Sequence, residues 1–165
     1  MPLIKLQSEG LNLADNFAFT GTVSGAGGGK INQVISTVKT DTFTTNSGTY
    51  TDVTGLSVSI TPSATNSKIL CFCTGAYGKD TTDNFNFQLV RGSTSLLENK
   101  LDPGTNNNQT NTFSIQFLDS PSSTSALTYK IQIKNDGGNY VNINRINNNT
   151  TDRADSVITV LEVLA

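Results

Sequence analysis

Apolar residues recur at every second position along most of this chain. In LSVSI, Leu56, Val58 and Ile60 alternate with serines; in FNFQLV, Phe85, Phe87 and Leu89 share one face; in FSIQF, Phe113, Ile115 and Phe117 repeat the pattern. TYKIQIK continues it with Tyr129, Ile131 and Ile133, leaving Lys130 and Lys134 on the other side. A period of two marks a half-buried β-strand. Between the runs lie TPSATNS, VRGST, LDPGTNNNQ, LDSPSSTS, NDGG and NNNTTDRAD, each dense in turn-forming residues. No segment sustains a helical period. Short strands separated by turn clusters predict an all-β chain, an antiparallel β-sandwich or jelly roll.

Two stretches depart from simple alternation. SVITVLEVL, residues 156–164, is apolar on both faces apart from Thr159 and Glu162. It predicts a strand covered on both sides, either central in its own sheet or shielded by a neighbouring subunit. Near the start, LNLADNFAFTGTV places Leu11, Leu13, Phe17, Phe19 and Val23 at even separations, giving an extended segment with one apolar side. So short a segment cannot bury that side alone. It reads as an attachment arm that grips another protein or copies of itself; folding back on its own domain is the alternative.

The glycines of GTVSGAGGGK, residues 21–30, invite comparison with a phosphate-binding loop. Such a loop needs a glycine where Ser24 stands and a Ser or Thr where Ile31 stands, so the stretch reads as a hinge. The chain accordingly divides into an arm and hinge over 1–29 and a jelly-roll domain over 30–165.

Composition narrows the functions. Only 35% of residues are hydrophobic, whereas Ser, Thr and Asn make up roughly a third. That mixture disfavours helices and leaves few apolar groups for a self-sufficient core, so copies of the chain are expected to shield one another. A net charge of -2 without a basic stripe argues against nucleic acid. No apolar run reaches membrane-spanning length and MPLIKLQSEG lacks a secretion core, so a soluble, cytoplasm-made protein with no membrane insertion is expected.

Candidate chemistry is sparse. There is no histidine, and the carboxylate pairs Asp80 with Asp83 and Asp152 with Asp155 sit in polar loops that would leave their acidity ordinary. No catalytic residue is assigned and the chain is read as not an enzyme. Cys71 and Cys73 fall on one face of a strand and lack the further ligands zinc prefers; they read as buried hydrophobes. KDTTDN and NNNTTDRAD offer oxygen atoms for calcium but not the spacing of a helix-loop-helix site, and the Asn-X-Thr triplets at Asn108, Asn148 and Asn149 come without a secretion signal. Neither a cofactor nor a metal is assigned.

Specific strings add a resemblance. GLNLADNFAFTGTVSGAG, KTDTFTTNSGTYTDVTGLSVSITPSATNSKIL, FQLVRGST, SIQFLDSPSSTSALTYKIQIK, and a closing INR with DRADSVITVLEV resemble tail-fibre-like virion structural proteins of marine and freshwater tailed bacteriophages, along nearly the whole chain. The resemblance implies a homotrimer with a jelly-roll module of the C1q/TNF type, held in the virion through residues 1–24 by a tail adaptor or capsid protein, and acting in host attachment. One departure matters: neither Gly-X-Y nor heptad repeats supply a shaft. The protein is therefore expected to be a short fibre or knob, or alternatively a capsid decoration protein.

If the last strand ends beside the hinge, as in such jelly rolls, alternating strand directions sort the loops. NNNTTDRAD, SPSSTS, RGS and SATN then fall at the far end, and NDGG, the 106–108 loop and KDTTD at the hinge end. Arg91, Ser122, Ser123, Asn147, Asn148, Asn149, Asp152 and Arg153 would form an exposed tip whose amides, hydroxyls and charges suit weak contact with a host-surface glycan or protein, multiplied by copy number.

Overall fold

The computed structural model describes residues 30–79, 84–101, 110–145 and 154–164, and every helix or strand among them is a β-strand. In chain order these are β1 (Ile31–Lys39), β2 (Phe43–Thr45), β3 (Thr51–Ile60), β4 (Lys68–Lys79), β5 (Phe85–Arg91), β6 (Thr94–Leu101), β7 (Asn111–Asp119), β8 (Leu127–Asn135), β9 (Val141–Ile143) and β10 (Ser156–Val163). The arm and hinge, with all five of Leu11, Leu13, Phe17, Phe19 and Val23, lie outside the described residues.

The strands make two antiparallel layers. One runs β1-β10-β4-β9-β2, with β7 along the second edge of β4; the other runs β3-β8-β5-β6. Passing from β3 to β4, β4 to β5, β6 to β7, β7 to β8 and β8 to β9, the chain changes layer each time. From β1 to β9 only the β1-to-β2 connection and the β5-β6 hairpin keep to one layer, and this connectivity is the jelly roll that alternation predicts. Gly92, at φ +58, supplies the left-handed first position of the hairpin's two-residue turn.

Each apolar position picked out by alternation is buried between the layers except Phe117, which packs half-buried against that core. Burial of a Leu, Ile or Phe side chain is worth about 1.5–3 kcal/mol, so these alternating runs supply the main driving force. A bulge in β3 adjusts the pattern. Register slips between Asp52 and Ser57 opposite β8, with Gly55 at φ +82, and Val53 and Leu56 both point inward although three positions apart.

The strand apolar on both faces is central, as expected. β10 pairs with β1 on one side and β4 on the other, buries Ser156, Ile158, Val160 and Glu162 inward, and leaves Val157, Thr159, Leu161 and Val163 half-buried outward. Cys71 and Cys73 are free and face inward. Burial first, then the charge of Asp119 for Cys71 and the neighbouring Cys71 for Cys73, pushes both thiols up to about 12. They are packing groups rather than nucleophiles at neutral pH.

Candidate functional site: two ends and two outer faces

The strands define two ends. At the terminal end the Leu164 amide donates to the Lys30 carbonyl at 2.7 Å, so the domain begins and finishes side by side, and the preceding segment departs from here. Glu162 secures this end. Its carboxylate is fully buried and accepts from Asn32 Nδ2 at 2.8 Å, Gln33 Nε2 at 2.6 Å, and the amide and hydroxyl of Ser63, each at 2.6 Å. Burial alone would raise its pKa; the hydrogen bonds from Ser63 and Asn32 outweigh that and hold it at about 2.

Loop sorting differs from the sequence expectation. Residues 61–67 join Ile60 to Lys68, which pairs with Val163, so SATN lies at the terminal end. The turn after Arg91 lies there too, since the Gly92 amide bonds the Thr128 carbonyl, as does the 120–126 loop leaving Asp119 opposite Ile69. Arg91, Ser122 and Ser123 therefore sit beside the hinge rather than at the far end. The strands flanking 80–83, 102–109 and 136–140 all point to the opposite, distal end, as do Arg145 and Ala154 bracketing 146–153.

The cause is β9. A three-residue strand covers about 10 Å, far short of the ~30 Å of a nine-residue strand, so it does not carry the chain across the sandwich. Both the loop before it and the loop after it open at the distal end. Asn147, Asn148, Asn149, Asp152 and Arg153 themselves lie outside the described residues.

Arg91 is a strut, not a free contact group. Its Nη1 reaches Asp119 Oδ2 at 2.5 Å, and the buried Tyr129 hydroxyl donates to the same oxygen at 2.7 Å, tying β5 and β8 to β7 across the core. Ser122 is exposed with φ 51, and Ser123 Oγ accepts from the Ser125 amide at 3.0 Å. At the distal end a hub had no sequence signal beyond an Asn among many. Fully buried Asn144, at φ 62, donates to the carbonyls of Lys39 at 2.7 Å and Asp41 at 3.0 Å, and accepts from Ser156 Oγ at 2.5 Å. Tyr140, just before β9, is half exposed, and Arg145 Nη2 donates to Asn142 Oδ1 at 2.8 Å.

The two outer faces differ in chemistry. On the β3-β8-β5-β6 layer, polar groups join across all four strands: Ser95 donates to Gln88 at 2.7 Å, Gln88 to Gln132 at 2.5 Å, Gln132 to Asp52 at 2.6 Å, and Lys130 to Asp52 at 2.8 Å. The Lys130 ammonium, then the Gln132 amide, hold the Asp52 carboxyl below its ordinary range. Tyr50 adds a hydrogen bond to Glu98, beneath the Lys134 ammonium.

The β1-β10-β4-β7 face is apolar instead. Register aligns Val34, Leu161, Leu70 and Leu118 in a row across four strands. Alongside run Ser36, Thr159, Phe72 and Gln116, then Val38, Val157, Thr74 and Ser114, while Ile31 and Val163 extend the terminal side. Ile31, Val34, Val38 and Leu118 are 46%, 59%, 54% and 49% exposed; Tyr140 is the one other large hydrophobic as open among the described residues. At the distal margin a cavity of about 280 Å³ is lined by Thr74, Ala76, Thr112, Ser114 and Asp155 over the bare backbone of Gly75. No group of three His, Cys, Asp or Glu residues placed to hold a metal occurs among the described residues.

No protein-family model matches the chain, and no curated protein matches it in sequence. Among solved structures it is similar to the Eiger TNF of S. frugiperda, at 12% identity and TM-score 0.42, covering 81% of this chain and 94% of that one. It is also similar to the infectious bursal disease virus Gx strain structure, at 12% identity and TM-score 0.38 over 81% of this chain and 37% of the other. The insecticidal delta-endotoxin Cry8Ea1 of Bacillus thuringiensis gives 17% identity and TM-score 0.39 over 74% of this chain, which spans 20% of the toxin. Likeness at this level is one of β-strand arrangement, and no activity passes with it.

Proposed function

We propose that the chain is a non-enzymatic structural protein of a tailed-bacteriophage virion, assembled in the bacterial cytoplasm. In this reading it is a homotrimeric short fibre or knob, anchored by residues 1–24 and displaying its jelly roll for host attachment. The supporting observation is the polarity of the fold. The Lys30–Leu164 contact puts the departure of the arm at one end, so anchoring there leaves the loop-rich distal end pointing away from the particle. Amide and hydroxyl side chains dominate the distal loops and suit weak, repeated contact with host-surface sugars.

A second reading, a head fibre or cement protein coating the capsid, draws support from the missing shaft: neither Gly-X-Y nor heptad repeats separate the arm from the domain. Antibody-gold labelling of intact particles tests both. Label on the tail, with soluble protein competing for adsorption, is the expected result; label on the head with adsorption unchanged selects the decoration reading. Unlabelled particles discard both.

A further inference from the structure

We infer that the hollow over Gly75 and Ala76, at the distal margin of the β4-β7 outer face, is a binding site for one neutral sugar ring. The inference gives a place to the sugar contact of the reading above and rests on that reading for the source of the ring, a host-surface glycan. The hollow follows from a change of partner along β4. Thr74 is the last β4 residue paired with β10 and Tyr77 the first paired with β9, so Gly75 and Ala76 fall between the two. Neither brings bulk. Ala76 alternates outward with Thr74 yet is only 4% exposed, which puts its methyl at the bottom of the 280 Å³ space.

Polar groups stand around that floor in fixed positions. Register sets Ser114 of β7 opposite Thr74 and Thr112 opposite Ala76. Asp155 stands on the other side of β4, where β10 begins. It is held from both neighbours: the Ala154 amide bonds the Asn144 carbonyl at 3.3 Å, and Ser156 Oγ donates to Asn144 Oδ1 at 2.5 Å. The Asn144 amide is itself tied to the Ala76 carbonyl at 2.9 Å, so floor and wall are one rigid unit.

The lining selects the ligand. The hydroxyls of Thr74, Thr112 and Ser114 and the Asp155 carboxylate form no hydrogen bond or ion pair among the described residues, whereas on the opposite layer Ser95, Gln88, Gln132 and Asp52 bond one another. Open oxygens around apolar walls from Ala76 and Ala154 match a ring with hydroxyls on its rim and C–H bonds on its faces. No described residue of the lining is a cation, so an anionic group finds no partner there. A bare calcium ion needs roughly six to eight oxygens at about 2.3–2.6 Å, and one carboxylate in so wide a space does not close around it. The volume falls just under the roughly 300–1,000 Å³ of sites for drug-sized ligands, which suits one ring and not a chain.

Amide chemical shifts of the isotope-labelled full chain, titrated with glucose, galactose, mannose or N-acetylglucosamine at millimolar concentration, test the inference. At least one of these sugars is expected to move the amides of Gly75, Ala76, Thr112, Ser114 and Asp155 and to saturate, while glycerol at equal concentration does not. Asp155→Ala should weaken that sugar by about tenfold or more. Ser114→Phe fills the hollow from an exposed position and should abolish the response; Ser57→Phe, as exposed on the other layer, should leave it intact. Should Ser114→Phe lose the β-sheet circular dichroism, Asp155→Ala decides alone. No saturable shift with any of the four sugars, shifts confined to other residues, equal shifts with glycerol, or wild-type affinity in Asp155→Ala overturns the inference. Calcium chloride or sodium phosphate moving these amides in place of sugar overturns the ligand class. Sugar binding here with unlabelled particles keeps the site and discards the virion reading; labelled particles without sugar binding do the reverse.

Discussion

Burying a carboxylate costs several kcal/mol unless its oxygens are hydrogen-bonded, and at Glu162 they are, by neutral donors from two separate segments, β1 and the 61–67 loop. Its folded pKa of about 2 lies below the ordinary 4.5, so deprotonation favours the fold. The contribution is complete above about pH 4.5 and fades as pH falls toward 2. In urea titrations the wild-type midpoint is expected to drop across that window. Glu162→Gln should start lower at pH 7 and fall less, keeping the slope that Asp52, also depressed, contributes. Parallel curves for the two proteins would remove Glu162 from the account. Sequence marked Glu162 as one of two polar residues in an apolar strand but gave no sign of its burial, because Asn32 and Gln33 are 130 and 129 positions away. Pairings of that range leave no local trace. The same holds for Arg91, which reads as a loop charge until Asp119 and Tyr129 arrive from other strands.

Strands are where the sequence was most legible, because side-chain direction alternates by geometry and needs no long-range information. The runs around Val58, Leu89, Ile115 and Ile131 lie in strands β3, β5, β7 and β8, and β10 is central, one of the two placements that its two-sided apolarity allowed. What stayed hidden were β1 and β6, whose apolar residues do not alternate cleanly, and β2 and β9, too short to show a period; the last of these reversed the sorting of most loops. A further element-scale feature sits in β4. Gly75 faces inward opposite Phe113, and a Cβ there would come within 2.4 Å of the Ser156 hydroxyl and 2.6 Å of the Phe113 ring. The ring is packed in the core and the hydroxyl is held by Asn144, so neither gives way cheaply and Gly75→Ala is expected to cost about 1–3 kcal/mol by overpacking. Gly48→Ala, whose nearest neighbour would be a carbonyl at 4.0 Å, should change stability by under about 0.5 kcal/mol. Introducing Phe113→Leu into G75A should then cost less than it does alone, a coupling that a double-mutant cycle of urea midpoints measures. Additive effects would show that the ring is not the obstacle.

For the whole molecule, strand pairing and inward anchoring set which parts are held firmly and which loosely. β8 pairs on both sides, with β3 and β5, and buries alternate residues in the core. Among the described residues β1 pairs only with β10, has Ile35 as its one large apolar side chain packed against the core, and turns Val34 and Val38 outward. Edge strands with so little inward anchoring open at low free energy unless something covers them. If neighbouring copies cover this face, slow hydrogen exchange in β1 is a property of the assembly, whereas slow exchange in β8 belongs to the single domain. Exchange of wild type and V34K/L118K at equal concentration separates the two. Amides of Ile31–Lys39 are expected to lose protection at least tenfold in the variant, while those of Leu127–Asn135 keep theirs to within a factor of about two. Uniform loss in both strands would mean instead that the substitutions weaken the sandwich as a whole. Unchanged protection in both would mean that β1 is secured from within the chain and that assembly contributes nothing to its order.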